Sequence, residues 1–87
     1  MFEGRTHRQL AGYQMEVEGM SGEQALYKTV SDAWKSNSTR EEAIRSLGKL
    51  VKRGNSEALK LLERIARDDW TSDRLRKLTI EMIAESL

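Results

Sequence analysis

Few residues in this chain carry chemistry that catalysis or metal binding could use. His7 is the single histidine, and there is no cysteine. A Ser-His-Asp triad or a zinc site needs more material than that, so His7 is read as a solvated surface residue. Glu41-Glu42 and Asp68-Asp69 are adjacent carboxylate pairs. Neighbours on a helix point ~100° apart, so neither pair converges on one reacting atom; Glu41 and Glu42 suit a first helical turn, where the helix dipole favours negative charge. No phosphate-binding Gly-Lys-Ser/Thr loop, dinucleotide-binding glycine turn or EF-hand loop occurs. These observations point to a protein that is not an enzyme, with no catalytic residue, cofactor or metal.

Two other groups of residues suit binding. Arg45, Lys49, Lys52 and Arg53 are spaced to line one helix face and make phosphate contacts. The formal net charge is only +1, yet residues 1–38 sum to −1, 39–53 to +3 and 54–87 to −1. Both tryptophans, Trp34 and Trp70, fall where one helix ends and a capped one follows. Each is expected as an apolar wedge that locks this corner, with an exposed aromatic anchor for a partner as the alternative. Tyr27 borders an apolar arc and is expected to be partly buried. Met15, Met20 and Met82 read as gap-fillers.

The elements that would position these residues are helical from residue 21 onward. Ser21 with Gln24 and Thr39 with Glu42 fit capping boxes, Asn55 and Ser72 fit N-caps, and Gly54 fits a helix stop. The pattern predicts helices near 22–36, 39–53, 55–69 and 72–86, joined by connections short enough to make neighbours antiparallel. Ala43, Ile44, Leu47, Leu50 and Val51 form one apolar arc, and Ala58, Leu59, Leu61, Leu62, Ile65 and Ala66 a wider one. The last helix has two arcs, Leu75, Leu78 and Met82 beside Ile80, Ile83 and Leu87, and so calls for two neighbours.

Residues 1–20 differ. Four of the six glycines fall within the first twenty-two residues. Leu10, Tyr13 and Val17 share a helical face, while residues 13–18 also alternate as a half-exposed strand would. This N-terminal segment is expected to be partly flexible and either helix or strand, ahead of a domain over 21–87 made of one helix pair at 21–53 and a second at 54–87.

Sliding the chain on itself by thirty-six residues matches Asp32, Trp34, Ser36, Arg40 and Ile44 to Asp68, Trp70, Ser72, Arg76 and Ile80. Leu47 then meets Ile83, and Val51 meets Leu87. Arg45 falls on Glu81 and Lys49 on Glu85, which predicts cross-helix ion pairs that would neutralise part of the basic face. Arg40, Ala43, Leu47 and Gly48, with Asp32 before them, resemble the second helix of a HEAT repeat, and Arg76, Thr79, Ile83 and Ala84 echo it. Departures from that family are the turn length and the tryptophans. The resemblance covers residues 22–87 and implies a right-handed stack of antiparallel helix pairs that acts as an interaction surface.

At 87 residues and 33% charged residues, with no proline, the chain suits one small all-α domain. The fold expected is two antiparallel helix pairs, as a HEAT-like stack or a compact four- or five-helix bundle. Without cysteines, a signal-like stretch or an apolar run long enough for a membrane span, the chain reads as cytoplasmic and non-membrane. The function expected is protein–protein interaction, as a small adaptor or regulatory subunit that contacts a protein partner or itself (a homodimer) through Trp34, Trp70, Ile80, Ile83 and Leu87. The alternative is nucleic-acid binding through Arg45, Lys49, Lys52 and Arg53.

Overall fold

Small polar side chains open each helix of the computed structural model, which describes residues 21–87. The elements are α1 (Gly22–Ser31), α2 (Asn37–Lys52), α3 (Ser56–Arg67) and α4 (Asp73–Ser86). Ser21, Ser36, Asn55 and Ser72 each accept a hydrogen bond from the backbone N–H three residues on. Such a cap satisfies a donor that the helix itself leaves unpaired. The capping box expected at Thr39 therefore sits one turn too late: Ser36 is the cap, and Thr39 lies inside α2.

The first and third helices also stop earlier than their apolar pattern suggests. Asp32 leaves the helix with φ −84° and ψ 105°, and Asp68 with φ −70° and ψ 141°. The Asp32 carboxylate accepts from the Trp34 N–H at 3.0 Å. An aspartate that competes with the backbone for hydrogen bonds in this way ends a helix without proline or glycine. The turns within the two pairs are consequently five residues long, at 32–36 and 68–72. Gly54 ends α2 as expected, with φ +94°. Its N–H bonds the Val51 carbonyl at 2.8 Å and the Asn55 N–H bonds that of Leu50 at 3.0 Å, a Schellman closure that needs the left-handed conformation glycine tolerates.

Among the described residues all regular structure is helical. Helix α1 packs on α2 and α3, and α4 packs on the same two, while α1 and α4 share no comparable contact. The molecule is thus two antiparallel pairs in two layers, α1 beside α3 and α2 beside α4. Val30, Ala43, Ile44, Leu47, Ala58, Leu61, Leu62, Ile65, Leu75 and Leu78 form the core. Two threonines are buried with them, and both hydroxyls are satisfied: Thr71 donates to the Ile65 carbonyl at 2.6 Å and Thr79 to that of Leu75 at 2.7 Å. No described helix is long and apolar enough to cross a membrane.

Candidate interaction surface

The turn of each pair is fastened by an arginine from the following helix. Arg40 donates from Nε to the Val30 carbonyl at 2.7 Å, and Arg76 from Nε to the Ala66 carbonyl at 3.0 Å. Arg76 also donates from Nη2 to the Asp68 carbonyl at 2.8 Å. The two clasps lie thirty-six residues apart, as do the Lys35-to-Asp32 and Thr71-to-Asp68 backbone bonds inside the turns. A guanidinium suits this work because its donors form a fixed planar fork and its charge strengthens each bond.

These fastened guanidiniums leave a flat face for an aromatic ring. Arg40 stands 5.9 Å from the centre of the Trp70 ring, and Trp70 meets Tyr27 edge to face at 6.3 Å. Arg64 lies over the Tyr27 ring at 5.0 Å, and the Tyr27 hydroxyl donates to Asp68 Oδ2 at 2.9 Å. The junction between the pairs thus rests on a cluster of Tyr27, Arg40, Arg64, Asp68 and Trp70. Partial burial and the neighbouring Asp68 carboxylate both push the Tyr27 phenol above its ordinary value. At the other end of the junction, Asn55 caps α3 and donates to the Glu23 carboxylate, a bond that holds Glu23 below the usual carboxylate range.

The tryptophans fare differently from the wedge expectation. Trp70 fills the junction between pairs rather than the corner of its own pair, and remains 40% exposed. Trp34 wedges nothing and is 96% exposed. The second arc of α4 is also open: Ile80 is 54% and Leu87 98% exposed, with Ile83 half-buried. Ile44 and Leu47, thirty-six residues before Ile80 and Ile83, are fully buried, on a helix that packs against all three others.

Arg45, Lys49, Lys52 and Arg53 are exposed along α2. A shallow cleft of about 180 Å³ runs between α2 and α4, floored by Gly48 and Met82 and rimmed by Arg45, Lys49, Lys52 and Glu85. The ion pairs expected between Arg45 and Glu81 and between Lys49 and Glu85 do not form. Lys52 takes Glu85 instead, at 3.6 Å, and Arg74 pairs with Glu41. The reason is register: Gly48 faces Met82, so α4 lies against α2 at an offset of 33 to 34 residues, not thirty-six.

Of the carboxylates singled out in sequence, Glu41 is held by Arg74 and Asp68 by Tyr27, while Glu42 and Asp69 face solvent. Among the described residues no three His, Cys, Asp or Glu side chains gather as a metal site would need. His7 and the helix-or-strand segment at 1–20 lie outside the described residues. Sequence reasoning missed the Tyr27–Asp68 junction and the role of the two arginines. The signal for the arginines was the match of Arg40 to Arg76 at the thirty-six-residue offset. Comparison with family models, curated proteins and solved structures finds no match.

Proposed function

We propose that this chain is a non-catalytic protein–protein interaction module, a short HEAT-like stack of helix pairs serving as an adaptor or regulatory subunit in the cytoplasm. One observation carries the reading. Ile44 and Leu47 of the first pair are fully buried, and the helix that carries them packs on both helices of the second pair, whereas Ile80 and Leu87 on the last helix stand open and Ile83 is half-buried. A helix pair in a stack buries one face against each neighbour, and an apolar face without one is a surface for a partner. The test is affinity capture with cross-linking, comparing wild type with Ile80→Glu and Leu87→Glu. Both positions are exposed, so these variants should keep their helicity and melting temperature while losing at least tenfold in captured partner. Retention of the partner by both variants sinks this reading.

A nucleic-acid reading draws on the failure of the expected ion pairs, which leaves Arg45 and Lys49 without the two glutamates that would have offset them. It requires affinity for DNA or RNA that falls steeply with salt and is abolished by Arg45→Glu with Lys49→Glu. Salt-independent partner binding that ignores these two changes excludes it.

A further inference from the structure

The two ends of the molecule hold complementary halves of a contact that the molecule makes once inside itself. At the internal junction, the fastened Arg40 of the first pair receives Trp70 from the turn of the second, and Tyr27 receives Arg64. Thirty-six residues after Arg40, Arg76 is fastened in the same way, to the carbonyls of Ala66 and Asp68, with Asp73 beside it at 3.5 Å, and among the described residues no aromatic ring lies over it. Thirty-six residues before Trp70, Trp34 projects from an equivalent turn, and among the described residues no guanidinium receives it. Among the described residues, Arg76 is thus a fastened guanidinium that receives no ring, and Trp34 is an exposed ring that meets no guanidinium.

Resting on the interaction-module reading, we propose that the partner is a second copy of this chain, docked head to tail, with Trp34 of one copy seated on Arg76 of another. The contact continues the internal junction in the same register. Lys28, at the place of Arg64, then comes beside Glu63, at the place of Tyr27, an attractive ion pair. Asp32, at the place of Asp68, comes beside the same Glu63, so the Tyr27–Asp68 hydrogen bond is replaced by two like charges that Lys28 only partly offsets. The exposed Ile80 and Leu87 are covered by the front of the incoming first pair, in the way that α4 packs on α2 where Met82 meets Gly48. That incoming face is the more polar of the two: Thr39, Glu42 and Ser46 occupy the positions of Leu75, Leu78 and Met82. Docking between copies is accordingly weaker than the internal junction, with association expected at about 100 μM rather than in the nanomolar range. Because the two docking faces differ, the assembly does not close at two copies and extends with concentration.

Two dead-ended variants test the geometry by sedimentation velocity on the full chain. Trp34→Ala removes the plug and leaves the back face intact, while Ile80→Glu spoils the back face and leaves the plug intact. Both sites are exposed, and circular dichroism checks that both variants fold. Wild type should form dimers and longer species, each variant alone should associate at least tenfold more weakly, and an equal mixture should form a heterodimer that grows no further. Association of Trp34→Ala alone at wild-type strength means a tail-to-tail pair and overturns the proposal. Association of Ile80→Glu alone, a mixture without heterodimer, or a wild type that stays monomeric overturns it as well. A monomeric wild type that still captures a different protein, lost with Ile80→Glu, ends head-to-tail docking and leaves the interaction-module reading standing. Loss of both self-association and capture ends the two together.

Discussion

Tyr27 shows how much one side chain can connect. Its ring touches both Arg64 and Trp70, and its hydroxyl reaches Asp68, forty-one residues away. Replacement by phenylalanine keeps the ring and removes the hydrogen bond, which should cost about 1 kcal/mol in denaturant unfolding at neutral pH. The pH dependence has a definite sign. The folded phenol is held above its ordinary 10.0, so its contribution is complete below that pH and is lost as pH rises through the raised folded value. The stability gap between wild type and Tyr27→Phe should therefore be constant from pH 7 to 9 and close at higher pH; a gap that widens with alkalinity would contradict the Tyr27–Asp68 bond. This contact was not legible in the sequence. Apolar periodicity placed Tyr27 at the border of a buried face, but nothing local distinguishes Asp68 from the other acidic residues as its acceptor.

Helix boundaries were legible where one cap candidate stood alone and misread where two overlapped. Ser21, Asn55 and Ser72 each precede a helix without a rival, and Gly54 is the only glycine in a position to stop α2. Ser36 and Thr39 compete, and the glutamate three residues after Thr39 favours the wrong one. The backbone is committed earlier, by the aspartate turn that begins at Asp32. Ser36→Ala should thus destabilise the protein by about 1 kcal/mol, whereas Thr39→Ala should change it by less than about half that, as measured by thermal or urea unfolding. The reverse ranking would place the cap where the sequence pattern put it. The apolar arcs of α2, α3 and the first arc of α4 were read correctly because burial follows the helical period. The ion-pair ladder was not, because the slide of α4 along α2 is fixed by how Met82 fits at Gly48, a matter of packing that no helix encodes by itself.

At the scale of the whole molecule, stability depends on the seam between the two pairs. A methyl group at Gly48 would lie 2.8 Å from the Met82 sulfur and 3.3 Å from its Cβ. Gly48→Val should therefore push α4 away from α2 and cost about 1–3 kcal/mol by overpacking, with part of the loss recovered in the double variant that also carries Met82→Ala. Additive losses in a denaturation cycle would show that the two side chains do not share this seam. The arginine clasps have a further consequence, in time. Arg40 reaches Val30 and Arg76 reaches Ala66 across ten residues each, whereas the Tyr27–Asp68 bond must span forty-one. Loops of that shorter length close in ~10–100 ns, and contacts this local make for rapid folding. Each hairpin is set to close by itself before the two meet. During synthesis both partners of the first clasp, Val30 and Arg40, have been joined to the chain well before the aspartate that will receive Tyr27.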